Sequence, residues 1–467
     1  MKKAIMFCGT ASGVGKTIIT AGFCRLLSNK GVSVAPFKAQ NMSLNSIALQ
    51  EGGEISVAQA LQAFACKIKP DVRMNPILLK PDSGRSYLVR LGKPVGVYSY
   101  KDYYRLSVEN KKIAFEAFDS LKDEYDLVVI EGAGSPAEIN LYDHDFVNMP
   151  MAEYANAFVF IVGDIDRGGV FASFKGTVEL LRQKHKELVK GFIINKFRGS
   201  YEILKPAFEL FKDHCKKPIV GVVPYLDLKL DEEDSVFKPS RADGKVKIGV
   251  IRLPHMSNFN EFDIFRFLDV GLKFVIKPQE LDSCDLVILP GSKNPIVDLE
   301  FLLESGFDVY LKGILGEKPI VGICGGYQLL GESIDGKKAL GLLGVETELL
   351  EDKVVVSAEY EGTGDFEGRF LSGYEIHHGR TNSKGKLKQL LKQKDLLVFD
   401  EDRLVIGTYL HGIFNNNVFL EWLFDLLGKH IEFNVNLSKE KDEQLNRLSE
   451  VLEESLNLEI LLDGFDL

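Results

Sequence analysis

Short apolar runs alternate with longer amphipathic segments along the first half of the chain. Each apolar run ends at a glycine or a polar residue, which is typical of parallel strands joined by helical crossovers. The candidate strands of this half are residues 4–8, 32–37, 127–130, 157–162, 189–194 and 219–223. The pattern therefore predicts an α/β domain built on a parallel sheet.

A polar stretch separates this series from a second one. Residues 226–245 lose periodicity and contain Asp231-Glu232-Glu233-Asp234 and Pro239, which favours a linker. The candidate strands beyond it are residues 246–251, 286–289, 320–323, 369–374 and 404–408. We therefore predict two α/β domains, over residues 1–225 and 246–436.

The last segment, residues 437–467, is acidic and amphipathic. Residues 438–467 carry nine acids and three bases, and Leu445, Leu448, Leu452 and Leu456 recur at helical spacing. This pattern predicts an acidic helix that packs on its own domain with a solvated outer face; a helix that binds a partner is the alternative.

Charge and cysteine content exclude several classes of protein. The 467 residues include 57 Lys and Arg against 67 Asp and Glu, a net charge of -10, which is not the footprint of a nucleic-acid-binding or anionic-membrane-binding protein. No apolar stretch reaches the roughly 18 residues of a membrane span. The six cysteines include no CxxC pair, so neither a disulfide framework nor a zinc cluster is indicated. We expect a cytoplasmic protein that binds neither nucleic acid nor membrane.

A glycine-rich loop follows the first predicted strand and precedes a helix. It contains Gly9, Gly13 and Gly15 and ends at Lys16 and Thr17, one residue longer than the common G-x4-G-K-[ST] spacing. Backbone N–H groups of such a loop point at an anion, the lysine reaches the terminal phosphates of ATP and the threonine hydroxyl binds Mg²⁺. The loop therefore predicts a P-loop for ATP.

Polar residues at other strand ends are candidates for the same site. Glu131 follows a predicted strand and is our first choice for a second Mg²⁺ ligand, because ligands of open α/β sheets bind at the carboxyl ends of strands. Asp164 and Asp166 are alternatives for metal or substrate. Lys38 and Asn195 are further candidates for contacts with the nucleotide.

A second candidate site surrounds one cysteine. Cys324 lies between a predicted strand and a helix within Gly322-Ile323-Cys324-Gly325-Gly326, where a tight turn exposes sulfur and the helix N-terminus favours thiolate. Backbone N–H groups of Gly325 and of Gly291, in another strand-end turn, are candidates for an oxyanion hole. The pattern predicts a thiolate nucleophile.

A thiolate nucleophile requires a base in the same domain. His411 lies just beyond a predicted strand and is the best candidate among the eight histidines. His377 and His378 are competitors.

The cysteine, glycine turn and histidine together resemble the class I glutamine amidotransferase domain, and the P-loop resembles that of dethiobiotin synthetase. Joined in one chain, they are similar to the cobyric acid synthase family of the cobalamin pathway. The stretches that carry this resemblance are residues 36–45, 131–136, 163–171, 195–199, 257–259 and 374–377.

The resemblance implies a glutamine-hydrolysing ligase that uses ATP and Mg²⁺. Its nucleophile would be Cys324, its base His411 and its ATP loop residues 9–17. Its expected reaction is amidation of the b, d, e and g carboxylates of adenosylcobyrinic acid a,c-diamide, a corrin, to give adenosylcobyric acid, with glutamine as nitrogen donor. The resemblance does not specify an oligomeric state.

Two positions depart from patterns common in such proteins. Many class I amidotransferases have Glu two residues after the catalytic histidine, but Ile413 occupies that position, so the third member of the triad is unassigned. The family commonly has Gly-Arg where this chain has Ser56-Val57, and we assign no site residue to that segment.

Other functions also fit the sequence. The chain could be another glutamine-dependent ligase of the same build, such as cobyrinic acid a,c-diamide synthase or a cell-wall amidotransferase. A P-loop ATPase switch joined to an inert amidotransferase-like module is an alternative from a different class.

Overall fold

A computed structural model describes residues 3–82, 84–230, 243–429, 431 and 435–465. Most of the predicted linker, residues 231–242, lies outside the described residues. The chain forms two compact units: one contains Met1–Ser43, Glu54–Asp234 and Ser438–Leu467, and the other contains Leu44–Gly53 and Ser235–Leu437. Each unit is therefore built from more than one stretch of the chain, whereas the boundaries drawn from the sequence assumed that each domain is continuous.

The first unit is built on the parallel sheet that the apolar runs predicted. Its strand order is β12-β11-β10-β1-β9-β2, with parallel pairing throughout, and a second sheet has the order β3-β6-β7-β8. The described strands up to residue 224 are β1 Ala4–Gly9, β2 Val34–Phe37, β3 Gln40–Met42, β4 Ser46–Ala48, β5 Glu54–Ser56, β6 Ile77–Asp82, β7 Arg85–Arg90, β8 Lys93–Ser99, β9 Leu127–Glu131, β10 Phe158–Asp164, β11 Val189–Phe197 and β12 Ile219–Pro224.

Helices cross between these strands and bury their apolar faces on the sheet. Phe7 of β1 and Phe160 of β10, for example, are fully buried in one core with Phe23 of the first helix. The helices are α1 Lys16–Asn29, α2 Val57–Ala65, α3 Tyr100–Arg105, α4 Ser107–Glu124, α5 Met149–Tyr154, α6 Val170–Leu180, α7 Gln183–Lys186, α8 Tyr201–Leu204 and α9 Pro206–Lys212, with short 3-10 helices Val72–Met74 and Ile139–Leu141.

The second unit combines a mainly parallel sheet with a long antiparallel pair. The strand orders are β14-β13-β15-β16-β23-β22-β21 and β18-β17-β19-β20. Its strands are β13 Val246–Ile251, β14 Val270–Val275, β15 Leu286–Leu289, β16 Ile320–Ile323, β17 Ser333–Ile334, β18 Lys337–Lys338, β19 Val345–Glu361, β20 Phe370–Ser383, β21 Lys388–Gln389, β22 Leu397–Asp400 and β23 Val405–Thr408.

One strand assignment was wrong. Residues 369–374 were placed in the parallel series, but they lie mostly in β20, which pairs antiparallel with β19. The helices of this unit are α10 Pro295–Glu304, α11 Phe307–Gly313, α12 Gly325–Leu330 and α13 Asn417–Leu426, with 3-10 helices Phe259–Phe267, Pro278–Leu281, Gly364–Phe366 and Ile413–Asn415.

The acidic C-terminal segment forms α14 Leu437–Ser455 and α15 Leu458–Leu461. Its predicted apolar face is buried in the core of the first unit, where Leu448 and Leu452 pack so closely on Gly22 that a Cβ there would lie 2.6 and 2.5 Å from them. Asp442 pairs at 2.7 Å with Arg25, a fully buried side chain. The helix is therefore part of the P-loop unit. None of the described helices combines the length and apolar character of a membrane span.

Candidate active sites

The loop between β1 and α1 has the backbone geometry of a phosphate cradle. Gly13 and Gly15 have φ values of 71° and 98°, the left-handed region that other residues adopt at a cost. A Cβ on Gly15 would clash with Nδ2 of Asn195, and this amide donates to the carbonyl of Val14 at 2.9 Å. Asn195 thus braces the loop from the end of β11. Gly9 is equally confined, since a Cβ there would lie 2.8 Å from Val14.

Lys16 and Thr17 begin α1 and are nearly buried, with 6% and 8% of their surfaces exposed. The ammonium of Lys16 donates to the carbonyls of Ala11 and Gly134, at 3.0 and 3.2 Å. The hydroxyl of Thr17 donates to Oε1 of Glu131 at 3.0 Å. The loop lysine therefore lies over its own loop, and the threonine reaches the end of β9.

Glu131 is fully buried at the end of β9 and collects several donors. Besides Thr17, the Lys38 ammonium lies 3.0 Å from Oε1, and Nε2 of Gln62 donates to Oε2. Lys38 is 3% exposed, which excludes a solvated surface lysine. The three partners hold the carboxylate in one orientation and offset part of the cost of burying its charge.

Sequence reasoning missed Gln62. It lies on α2, in the segment to which we assigned no site residue because Ser56-Val57 departs from the family pattern. Ser56 is the N-cap of that helix and accepts from the backbone N–H of Gln59, one turn before Gln62. The sequence does contain one feature that could have identified Gln62: Gln59 and Gln62 are three residues apart and so lie on the same face of a helix that is otherwise apolar.

The structure separates the roles of Asp164 and Asp166. Asp164 accepts from the ammonium of Lys196 at 2.9 Å, and the same ammonium donates to the carbonyl of Gly13 at 2.8 Å. Asp166 is exposed, and its carboxylate lies 3.6 Å from the guanidinium of Arg198. Asp164 therefore supports the P-loop from β10.

Cys324 occupies a strained turn between β16 and α12. Its φ of 51° and ψ of -108° lie outside the regions that a residue with a side chain usually occupies. Its N–H donates to the carbonyl of Thr408 at 2.7 Å. A Cβ on Gly325 would lie 2.5 Å from the backbone nitrogen of Ser292, and one on Gly326 would clash with the carbonyl of Leu289. The flanking glycines are thus required by close backbone packing, as in a nucleophile elbow.

His411 is held by a carboxylate that sequence reasoning missed. Its Nδ1–H donates to Oε2 of Glu261 at 2.9 Å, and the other oxygen of Glu261 accepts from the backbone N–H of Gly412. Both side chains are nearly fully buried, at 1% and 3% exposed. The ring stacks on Tyr374 with a centroid distance of 5.2 Å, and Nδ2 of Asn258 lies 3.4 Å from each ring nitrogen. Glu261 is therefore the candidate for the third member of the triad, which Ile413 cannot supply.

The electrostatic environment of His411 favours the imidazolium. Burial alone would lower the pKa of the ring, but hydrogen bonds and charge interactions with Cys324 and Glu261 outweigh burial and raise the pKa to about 10. The arrangement places Cys324 and a buried carboxylate at the same histidine, which is the grouping that nucleophilic catalysis by cysteine requires.

The turn after β15 brings Gly291 to this pair. A Cβ on Gly291 would lie 3.6 Å from Cε1 of His411. Asp298 fixes the turn: it is fully buried, accepts from the hydroxyl of Ser292 at 2.5 Å and lies 2.9 Å from Nδ1 of His255. The structure thus places both oxyanion candidates, Gly291 and Gly325, in the turns around Cys324 and His411.

The competing histidines have other partners. Nδ1 of His377 lies 2.7 Å from the carbonyl of Gly379 and Nε2 lies 3.0 Å from Glu375, while the ring stacks on Tyr409. His378 lies 3.2 Å from the carbonyl of Leu350. His411 is therefore the stronger candidate for the base, since interactions with both Cys324 and Glu261 raise its pKa.

The sequence carried a weak signal for Glu261. This residue follows the stretch Ser257-Asn258-Phe259 by two positions, on the 3-10 helix Phe259–Phe267. The pair Glu261 and His411 is separated by 150 residues, so no local spacing could join them.

Two protein-family models match the chain. They are the CobB/CobQ-like glutamine amidotransferase domain, over residues 247–419, and the CobQ/CobB/MinD/ParA nucleotide binding domain, over residues 5–235. Proteins named cobyric acid synthase from Clostridium perfringens and Carboxydothermus hydrogenoformans are 43% and 44% identical, each over 98% of both chains. A probable cobyric acid synthase from Thermococcus kodakarensis is 41% identical over 100% of both chains.

Proposed function

Because the chain belongs to the cobyric acid synthase family, it is a glutamine-hydrolysing ligase of cobalamin biosynthesis, and we propose that it amidates the b, d, e and g carboxylates of adenosylcobyrinic acid a,c-diamide. The net reaction at each carboxylate consumes glutamine, ATP and water and yields an amide, glutamate, ADP and phosphate. The two units divide this work between glutamine hydrolysis and activation of the carboxylate.

In the glutaminase reaction, the thiolate of Cys324 attacks the side-chain amide carbon of glutamine. The negative charge that develops on the carbonyl oxygen is stabilised by N–H groups of the surrounding turns, for which Gly291 and Gly325 are the candidates. The His411 imidazolium gives its proton to the departing nitrogen, so ammonia and a glutamyl thioester form. Neutral His411 then takes a proton from the water that hydrolyses the thioester, which restores thiolate and imidazolium.

Glu261 is a positioning residue in this scheme. Its carboxylate orients the ring through Nδ1 and leaves Nε2 for proton transfer. It also stabilises the positive charge that His411 carries before attack and regains after thioester hydrolysis.

In the other unit, ATP transfers its γ-phosphoryl group to a corrin carboxylate. Ammonia does not displace oxygen from a carboxylate, whereas it displaces phosphate from an acyl phosphate. Lys16 would neutralise charge on the transferring phosphoryl group, while Gly9, Gly13 and Gly15 leave room for the phosphates. Lys38 pairs with Glu131, and Asn195 donates to the backbone of the P-loop; both contacts would fix the geometry of the nucleotide site.

Mg²⁺ fits the residues at this site. The Thr17 hydroxyl and the Glu131 carboxylate are hard oxygen donors within 3.0 Å of each other. Mg²⁺ usually binds one or two carboxylates together with phosphate oxygens and water, and this pair offers that kind of donor set. When bound, Mg²⁺ would neutralise developing charge on the phosphates.

The observation that carries the proposal is that one chain contains both candidate sites. One unit holds Cys324, His411 and Glu261, and the other holds a P-loop whose threonine hydroxyl donates to the buried carboxylate of Glu131. We expect the purified protein to release one glutamate and consume one ATP for each amide formed on the corrin a,c-diamide. Mass spectrometry of the corrin should show four successive amide substitutions, and amidated corrin, glutamate and ADP should be quantified in the same reaction.

Results with other acceptor substrates would contradict specific parts of the proposal. Amidation of cobyrinic acid at the a and c positions, with no product from the a,c-diamide, would instead identify an a,c-diamide synthase. ATP hydrolysis without glutamate release in the presence of every acceptor would support a P-loop switch with an inert module.

Removing the charge of Glu261 should change the pH dependence of glutamine hydrolysis. In wild type the His411 pKa is raised to about 10, so we expect the rate to fall on the alkaline side only as the pH approaches that value. Glu261→Gln removes one of the interactions that raise this pKa, so the alkaline limb should move to lower pH and kcat should fall about ten- to a hundredfold. Initial rates of glutamate release, measured between about pH 6 and about pH 10.5, report both effects.

The matched control is Glu300→Gln, since Glu300 is an exposed carboxylate of the same unit. It should leave the profile unchanged. An alkaline limb that stays in place in Glu261→Gln would show that Glu261 does not set the charge state of His411.

A further inference from the structure

The segment Leu44–Gly53 belongs to the amidotransferase unit although it is encoded within the P-loop half of the sequence. Its strand β4 packs against β19 and β20 of that unit. Asn45, just before β4, is 5% exposed. Residue 45 is therefore buried in the unit that holds Cys324 and His411.

The helix that carries Glu261 is not capped by its own N-cap residue. Asn258 has left-handed φ and ψ values of 55° and 56°, and its side chain makes no capping hydrogen bond; Nδ2 instead lies beside His411. The first N–H groups of a helix have no partner within the helix. Here the N–H of Phe259, the first residue of the 3-10 helix, donates to Oδ1 of Asn45 at 3.2 Å.

Asn45 thus performs from a distance of 214 residues the task that an N-cap performs locally. It holds the start of the helix at Phe259, next to Asn258 and two residues before Glu261. Those two side chains approach the His411 ring directly. A shift of the helix start therefore displaces both groups that orient the catalytic histidine.

We propose that Asn45 is a positioning residue of the glutaminase site, acting through the helix Phe259–Phe267 on Glu261, Asn258 and His411. This inference rests on the proposed glutaminase function of Cys324 and His411. It also assigns a role to the end of the motif 36–45: this stretch supplies Lys38 to the carboxylate of the proposed ATP site, and Asn45 to the backbone N–H of Phe259 at the start of the helix that carries Glu261.

The test compares Asn45→Ala, which removes the acceptor oxygen, with Asn45→Asp, which keeps an oxygen in the same place. Glu51→Ala, at an exposed position of the same segment, is the control. For each full-length variant, kcat and KM for glutamine, the pH profile of glutamate release and the rate of ammonia-dependent amidation of the corrin a,c-diamide are measured.

We expect Asn45→Ala to lower kcat for glutamine hydrolysis about ten- to a hundredfold, because small displacements of catalytic groups have effects of this size. KM for glutamine should change less than kcat, the alkaline limb should move to lower pH, and ammonia-dependent amidation should stay at the wild-type rate. Asn45→Asp should recover most of kcat, and Glu51→Ala should match wild type.

Three results would overturn the inference. A kcat for Asn45→Ala within about twofold of wild type would show that the contact does not matter. Equal loss of the glutamine-dependent and ammonia-dependent reactions would indicate a general structural role, and failure of Asn45→Asp to recover kcat would exclude the acceptor oxygen as the cause. A different outcome would contradict the proposed function itself: if wild type releases no more glutamate than Cys324→Ala does, the chain is not a glutaminase, and the role proposed for Asn45 is excluded as well.

Discussion

Replacing Cys324 with serine should abolish glutamine-dependent amidation while leaving ammonia-dependent amidation intact. The hydroxyl of serine is a far weaker nucleophile than a thiolate, and it cannot form the anion that pairs with the His411 imidazolium. We expect glutamate release to fall about a thousandfold or more. In the proposed mechanism, carboxylate activation takes place at Lys16 and Thr17, so ammonium at mildly alkaline pH should still supply NH3 for the corrin.

The measurement follows ATP consumption and amidated corrin with each nitrogen donor. Cys284→Ser is the matched control, because Cys284 is a buried thiol of the same unit that lies outside the proposed site. It should keep both activities. Glutamine-dependent synthesis by Cys324→Ser would exclude Cys324 as the nucleophile, and loss of ammonia-dependent synthesis by a folded variant would contradict the division of work between the two units.

Replacing Lys16 with alanine should abolish amidation with both nitrogen donors. Lys16 is the first residue of α1 and lies beside the loop glycines, where its ammonium would neutralise charge on the transferring phosphoryl group. Without an acyl phosphate, neither ammonia from glutamine nor ammonia from solution has an electrophile to attack. We expect synthesis to fall below about a few per cent of wild type with either donor.

Glutamate release in the absence of synthesis provides the test of folding for this variant, since Cys324 and His411 are unchanged. Lys112→Ala is the control, because the Lys112 side chain is 75% exposed on α4 of the same unit. Amidation by Lys16→Ala with ammonia at a rate comparable to wild type would show that Lys16 does not take part in activation.

The pH dependence of His411 also affects stability. The native pKa of about 10 lies above the ordinary value of 6.5, so the folded protein binds this proton more tightly than an unfolded chain does. The stabilisation is therefore complete below about pH 6.5 and is lost as the pH rises toward 10. Glu261 and Cys324 have to be in place in the fold for the histidine to remain charged at neutral pH.

Local sequence was sufficient for the turns that carry the two sites. The P-loop glycines and the glycines beside Cys324 are demanded by positive φ angles and by backbone contacts too close for a Cβ. The glycines that meet these requirements are close together in the sequence, so they leave a readable pattern even where the atoms they approach lie far away along the chain. The prediction of two α/β domains is confirmed, and so is the family resemblance. The roles of the individual site residues stay predictions.

Tertiary structure decided which distant residues support those turns. Glu261 reaches His411 across 150 residues, Gln62 reaches Glu131 across 69, and Asn45 reaches Phe259 across 214. Each is a polar side chain whose local sequence fits an ordinary helix or strand, because its partner is chosen by packing of the sheet and not by spacing along the chain. The same reason explains the C-terminal helix: its leucine spacing predicts an apolar face, but an apolar face does not specify which surface buries it.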